Sequence, residues 1–195
     1  MLRIGLTGGI GSGKTTIARL LSEQGYPVYI ADRRASFLIN RDPEIHSALV
    51  QQFGPAIYCA DGSLNKKKLA EIIFNDPTAL QKVNATVHPI VLEDFRHWSS
   101  EQDKNFVFFE SAILFEAGFE ACFDFIVCVY ASPETRIARV VNRDRISPEE
   151  VKKRMGNQWD DETKRRRSDL VIYTDRGENL NRQIEDMLNK IKEQQ

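Results

Sequence analysis

Cysteine is scarce in this chain. Three occur, Cys59, Cys122 and Cys128, an odd number with no Cys-x-x-Cys spacing. That argues against a disulfide framework and for reduced thiols in the cytoplasm. Histidine is as sparse: His46, His88 and His97 are scattered and pair with no cysteine, so a structural zinc site is not expected. An excess of either charge is also missing. The formal net charge is -1, and nothing global draws the chain to nucleic acid or to a membrane surface. No apolar run approaches the roughly 20 residues of a membrane helix. The opening stretch, Met1 to Leu6, is too short and too glycine-rich for the apolar stretch of a signal peptide, so none is expected. Repeats, low-complexity segments and long linkers are absent. What remains is 195 residues, a length that suits one domain with a sizeable core.

What is present is an alternation of strand-like and helical patterns. The apolar runs Leu2–Leu6, Tyr26–Ile30, Phe106–Phe109, Phe125–Tyr130 and Leu170–Tyr173 are short and apolar on both faces. Such runs fit parallel strands covered by helices on each side. Helix starts are marked by Asp42-Pro43, Asp76-Pro77 and Ser132-Pro133. Ser147-Pro148-Glu149-Glu150 adds a capping box. The last helix carries Leu180, Ile184, Met187, Leu188 and Ile191 on one face. Cys128 falls inside an apolar run and reads as core. The expected fold is α/β, a parallel five-stranded sheet flanked by helices. The alternation fails once, from Phe37 to Ser100, where only helical patterning appears around a turn near Cys59–Ser63. An insert of this size suits a substrate-binding subdomain.

The strongest local signal is Gly8-Gly9-Ile10-Gly11-Ser12-Gly13-Lys14-Thr15, followed by Thr16. It matches G-x-x-x-x-G-K-[ST] in full, after a strand and before a helix pattern that Gly25 ends. Glycines admit positive φ and bring N–H groups close to phosphate oxygens. The helix start adds its positive end. Lys14 supplies a point charge for the β- and γ-phosphates, and Thr15 a hydroxyl for Mg²⁺. This predicts a P-loop nucleotide site for ATP and Mg²⁺. No Asn-Lys-x-Asp base-reading motif of the GTPases is present, and the short chain favours a nucleotide or metabolite kinase.

In parallel α/β sheets functional groups gather at the carboxyl ends of strands. Asp32 and Glu110 sit there. Asp32 reads as the acceptor for an attacking hydroxyl. The alternative reading, compatible with the first, is the N-cap of a helix over Arg33–Ile39. Glu110 reads as a Walker-B-type acid near Mg²⁺, and Glu116 as a third acid or a surface residue. From 136 to 167 eleven basic side chains stand against six acidic ones. Arg136, Arg139 and Arg143 share one helical face, which suits a lid over phosphates. Aromatic interleaving for a nucleic-acid platform is sparse, with Trp159 alone in the segment.

These motifs together resemble the dephospho-coenzyme A kinase family along nearly the whole chain. Leu6 to Thr15, Tyr29-Ile30-Ala31-Asp32, Leu64-Asn65 through Leu69, Phe74-Asn75-Asp76-Pro77, Val87-His88-Pro89, Ile113-Leu114-Phe115-Glu116, Arg139 with Arg143-Asp144, Arg154 with Gln158, and Ser168 to Ile172 carry it. The resemblance implies transfer of the ATP γ-phosphate to the ribose 3′-hydroxyl of dephospho-coenzyme A. It implies a core (1–36, 101–138 and 168–195), a coenzyme-binding insert (about 37–100) and a lid (about 139–167). It assigns Asp32, Lys14, Arg139 and Arg143 to catalysis. ATP falls to Gly8 through Thr16 and Arg143. Substrate contacts fall to Asp32, Lys68, His88, Pro89, Leu114, Phe115 and Glu116, and the metal to Thr15 and Glu110. On pattern alone, His88 before Pro89 reads as a turn or packing residue. Departures from the family are Ser111-Ala112 in place of a proline, Glu110 in place of an aspartate, and Tyr173-Thr174-Asp175-Arg176-Gly177 where an asparagine and then a glycine are usual. The last departure leaves adenine recognition by Thr174 unsupported. The expected assembly is a monomer or weak homo-oligomer. Another small-metabolite or nucleoside monophosphate kinase and a nucleotide-sensing binding module are the competing readings.

Overall fold

The computed structural model describes residues 1–76 and 78–194. Pro77, the proline of the Asp76-Pro77 helix start, lies outside the described residues. The chain forms two compact units, residues 1–29 with 102–195, and residues 30–101.

A five-stranded sheet organises the first unit. Its strands are β1 (Leu2–Thr7), β2 (Val28–Ile30), β3 (Phe106–Glu110), β4 (Phe125–Tyr130) and β5 (Leu170–Tyr173), in the order β2-β3-β1-β4-β5. The pairs β1·β3, β1·β4 and β4·β5 are parallel, with Leu6 opposite both Glu110 and Val127. Central strands buried on both faces require apolar residues throughout. Ile4, Leu6, Phe108, Phe109 and Val127 are accordingly buried. Each such side chain contributes roughly 1.5–3 kcal/mol by leaving water. Helix α1 (Lys14–Glu23) buries Ile17 and Leu21, and Gly25 closes it at φ 84°. The last helix, Leu180–Lys192, buries Ile184, Met187, Leu188 and Ile191, the stripe read from the sequence.

Strand β2 is shorter than its apolar run. The Tyr26 N–H bonds back to the Leu21 carbonyl and Pro27 has no N–H to give, so pairing starts late.

The second unit is helical: α2 (Ala31–Ile39), α3 (Pro43–Phe53), α4 (Lys66–Asn75) and α5 (Ala79–Ser100). It takes in the whole of α2, of which the sequence reading had kept residues 31–36 with the core. Asp42 caps α3 by accepting from the Glu44 and Ile45 amides. The turn at Cys59–Ser63 is closed by a bridge between Tyr58 and Leu64. Two local readings are corrected here. Asp32 is not an N-cap, because Ile30 occupies that position and Asp32 lies in the first turn of α2. His88-Pro89 makes no turn, because α5 runs through it. Proline inside a helix costs about 3 kcal/mol. The stripe Val83, Val87, Val91 and Phe95, buried at four-residue spacing, holds α5 continuous while Pro89 faces solvent.

The remaining helices return to the first unit: α6 (Pro133–Asp144), α7 (Pro148–Met155) and α8 (Asp161–Arg167), with the Leu180–Lys192 helix as α9. Ser132 caps α6, and Ser147 with Glu150 forms the expected capping box on α7.

Candidate active site

The glycine-rich loop leaves β1 at Thr7 and enters α1 at Lys14, with Gly13 as a left-handed N-cap. Two of its glycines are compulsory. Gly8 (φ 143°) would put a Cβ 2.1 Å from the Val129 carbonyl oxygen, and Gly11 (φ 79°) one 2.7 Å from that of Arg136. Any side chain there would push the loop off β4 and α6. The Lys14 side chain is buried along the loop. Its Nζ donates to the Gly8 oxygen at 2.8 Å and the Gly9 oxygen at 3.1 Å. Thr15 and Thr16 are exposed in the first turn of α1, where helix amides lack intrahelical acceptors.

The loop is held from outside by the arginine-rich segment. Arg136 Nε donates to the Ile10 oxygen at 2.8 Å. The Arg136 guanidinium also pairs with Asp161 on α8, and burial pushes its pKa down. Arg139 Nη1 reaches the Gly11 oxygen at 3.3 Å and Thr174 Oγ1 at 2.9 Å, and its Nη2 donates to the Thr174 oxygen. Thr174 Oγ1 donates to the Ser12 oxygen at 2.5 Å. The Ile10 amide donates to Gln158 Oε1 at 2.8 Å. Asp175 accepts from the Ser132 amide and hydroxyl, anchoring the start of α6. Hydroxyls of Thr135 and Ser132 hold its carboxyl below the usual range.

The arginine face read from the sequence therefore divides. Arg136 and Arg139 turn onto loop carbonyls. Arg143, one turn on, makes a two-pronged contact with Asp144 at 2.7 and 3.2 Å, and Arg154 joins the same carboxylate at 2.8 Å. The hydrogen bond from Arg143 holds the Asp144 carboxyl below its ordinary pKa. Glu116 is no surface acid. Lys164, fully buried, places Nζ 2.7 Å from Glu116 and 2.7 Å from the Ala112 oxygen, and the Trp159 amide donates to the same carboxylate. Leu114 and Phe115 are buried, and Phe115 stacks on Trp159.

Among the described residues, no group of three or more His, Cys, Asp or Glu is placed to hold a metal ion. The two oxygen donors expected for a metal are the exposed Thr15 hydroxyl and the buried Glu110 carboxylate, at the end of β3 beside Leu6. Hard oxygen donors in so small a number suit Mg²⁺, which takes most of its shell from phosphates and water. Lys68, His88 and Pro89 lie in the second unit. Lys68 is exposed in the first turn of α4, with Nζ 3.4 Å from Glu71. Burial lowers the pKa of His88. Thr174, Asp161, Asp175 and Lys164 were given no site role by sequence reasoning. No local pattern marks them, since their partners lie 35 or more positions away except within the α6–α8 segment.

A family model described as CoaE, dephospho-CoA kinase, matches residues 2–179. The chain is 42% identical over 175 residues to a dephospho-CoA kinase of Bacteroides fragilis, covering 89% of this chain and 85% of that one. It is 37% identical over 178 residues to one from Salinibacter ruber, covering 90% and 89%. A crystal structure of TT1252 from Thermus thermophilus superimposes with a TM-score of 0.82 at 33% identity, covering 99% and 97%.

Proposed function

The chain belongs to the dephospho-CoA kinase family, and from that premise we propose which of its residues carry the transfer. The reaction moves the γ-phosphoryl group of ATP onto the ribose 3′-hydroxyl of dephospho-CoA, giving CoA and ADP. The observation that carries the assignment is the loop itself: residues 8–15, with Lys14 folded along it and Thr15 open at the start of α1. Lys14 exchanges the Gly8 and Gly9 carbonyls for phosphate oxygens when the nucleotide binds. Loop amides from Gly8 to Thr16 and the start of α1 hold the remaining phosphate charge. Thr15 and Glu110 would hold Mg²⁺, which would supply positive charge to the phosphates during the transfer.

Asp32 accepts the proton of the attacking hydroxyl. The new bond joins that oxygen to the γ-phosphorus, the bond from the γ-phosphorus to the bridging oxygen breaks, and ADP leaves with the electron pair. Asp32 is the second residue of α2, directly after β2, where a strand-end acid is expected. Arg143 leaves Asp144 to meet the phosphates. Arg139, already on the Gly11 carbonyl, steadies the loop through the transfer. Lys68 and His88 contact the coenzyme from the insert, and Pro89 fixes the helix face that carries His88. A cytoplasmic setting fits the three free cysteines. Among the described residues no helix is long and apolar enough to cross a membrane.

The test is ADP release with dephospho-CoA, AMP, CMP or shikimate as acceptor. Release that depends on dephospho-CoA, with CoA as product, supports the assignment. Preference for a nucleoside monophosphate or shikimate overturns it, as does ATP binding without any phosphorylated product.

A further inference from the structure

Three consecutive loop carbonyls point outward and each is met by a donor: Ile10 by Arg136, Gly11 by Arg139 and Ser12 by Thr174. The third contact differs from the first two. Its donor is a neutral hydroxyl that directly follows β5. Thr174 is 5% exposed, and its hydroxyl is committed on both sides. It donates to the Ser12 oxygen at 2.5 Å and accepts from Arg139 Nη1 at 2.9 Å. Its own amide is fixed on the Tyr130 carbonyl at 2.9 Å, so the side chain is carried by the sheet. Gly13 packs against it so closely that a Cβ there would lie 3.2 Å from Thr174 Oγ1.

We propose that Thr174 is a positioning residue for nucleotide binding: its hydroxyl, held by Arg139, fixes the Ser12–Gly13 peptide so that the Gly13 N–H is presented to the phosphates. A peptide unit is planar and trans, so its C=O and N–H point in opposite directions. A donor that pins the Ser12 carbonyl on the outside of the loop therefore aims the Gly13 N–H to the inside. The guanidinium behind the hydroxyl strengthens the chain of hydrogen bonds, because each polarises the next. Gly13, at φ 98°, sits in a backbone region open to many alternatives in a glycine. Without the brace that peptide is free to turn, and the amide must be re-ordered each time a phosphate binds. The cost falls on nucleotide affinity and leaves the acceptor side untouched. Arg136 makes a poorer test of the same idea, since it is buried in an ion pair whose loss acts on the whole fold.

The inference rests on the reading that this loop holds the phosphates of ATP. Thr174→Val keeps the shape and removes the hydroxyl, while Thr174→Ser keeps the hydroxyl. With the full chain, initial rates are measured with ATP and dephospho-CoA varied separately. ADP binding and Tm are followed in parallel. Thr174→Val is expected to raise the KM for ATP and the Kd for ADP about tenfold, with the KM for dephospho-CoA unchanged within about twofold. Thr174→Ser is expected to bring both nucleotide constants back to within about threefold of the parent. Should Thr174→Val fail to fold, Thr174→Cys, of similar size and with a weak donor, carries the same expectation. A lowered Tm with unaltered nucleotide constants reduces Thr174 to a packing residue and overturns the proposal. So does an equal rise in both KM values, or a folded Thr174→Ser that behaves like Thr174→Val. If the parent protein itself binds no ADP, the assignment of the loop fails, a result distinct from a parent that binds and a variant that matches it.

Discussion

The phosphate loop and the helical insert solve different problems. The loop is fixed by side chains from remote parts of the chain: Gln158 on the Ile10 amide, Arg136 and Arg139 on its carbonyls, Thr174 behind Ser12. In the insert many polar contacts are local. Asp61 holds the Ser63 amide and hydroxyl, Asn65 caps α4, and Asp76 holds the Thr78 amide. Arg34 with Asp94 is a longer link, two-pronged at 2.7 Å. The insert also leaves large apolar side chains in solvent, Phe74 at 85% and Phe37 at 51% exposed. A cradle for phosphates must hold its amides before the ligand arrives, since pre-ordering saves binding free energy. On the proposed function the insert receives the coenzyme, and exposed apolar groups are surface that a ligand can cover.

That contrast can be broken most forcefully at the loop. Asp161→Asn leaves the Arg136 guanidinium buried without its counter-charge. Chemical denaturation should register a loss of about 3–5 kcal/mol. A loss near zero would mean that the brace on Ile10 holds without α8. On the other side, Asp32→Asn should cut turnover by about 10²-fold or more while ADP binding stays nearly intact. Near-normal turnover would remove Asp32 from the chemistry.

A smaller effect sharpens the comparison at the end of α6. Arg145 is the one non-glycine residue with positive φ among the described residues, at 58°. Left-handed backbone costs an ordinary residue about 1 kcal/mol, so Arg145→Gly should leave stability equal or slightly raised. A marked fall in Tm would show that the Arg145 side chain matters more than its backbone.

The smallest effect concerns the insert. Burial lowers the folded-state pKa of His88 below its unfolded value. The unfolded chain then binds more protons between those two pKa values. Stability is complete above the unfolded value of about 6.5 and declines as pH falls toward the folded one. His88→Gln should flatten this part of the Tm–pH curve. Identical curves for parent and variant would assign the acid sensitivity elsewhere.

Much of the frame was readable in advance because its causes are local. The apolar runs became strands, Asp42, Ser132 and Ser147 capped their helices, and the glycine-lysine motif lies between β1 and α1. The errors were local as well, at Tyr26-Pro27, at Asp32 and at His88-Pro89, where tertiary packing and hydrogen bonds to neighbours decided the outcome. The brace was illegible for another reason. Thr174 and Ser12 lie 162 positions apart, and Gln158 and Ile10 lie 148 apart. No spacing rule joins such residues. The three-arginine face was visible, but its division was not, because Asp144 captures Arg143 at the helix end.

The most direct measurement is a titration of ATP with Mg²⁺ into the parent protein and into Lys14→Ala. Saturable binding by the parent, weakened at least about tenfold in Lys14→Ala, is the predicted result. A parent protein that binds no ATP, or a variant that binds it equally well, would contradict the account of residues 8–15 as the phosphate grip.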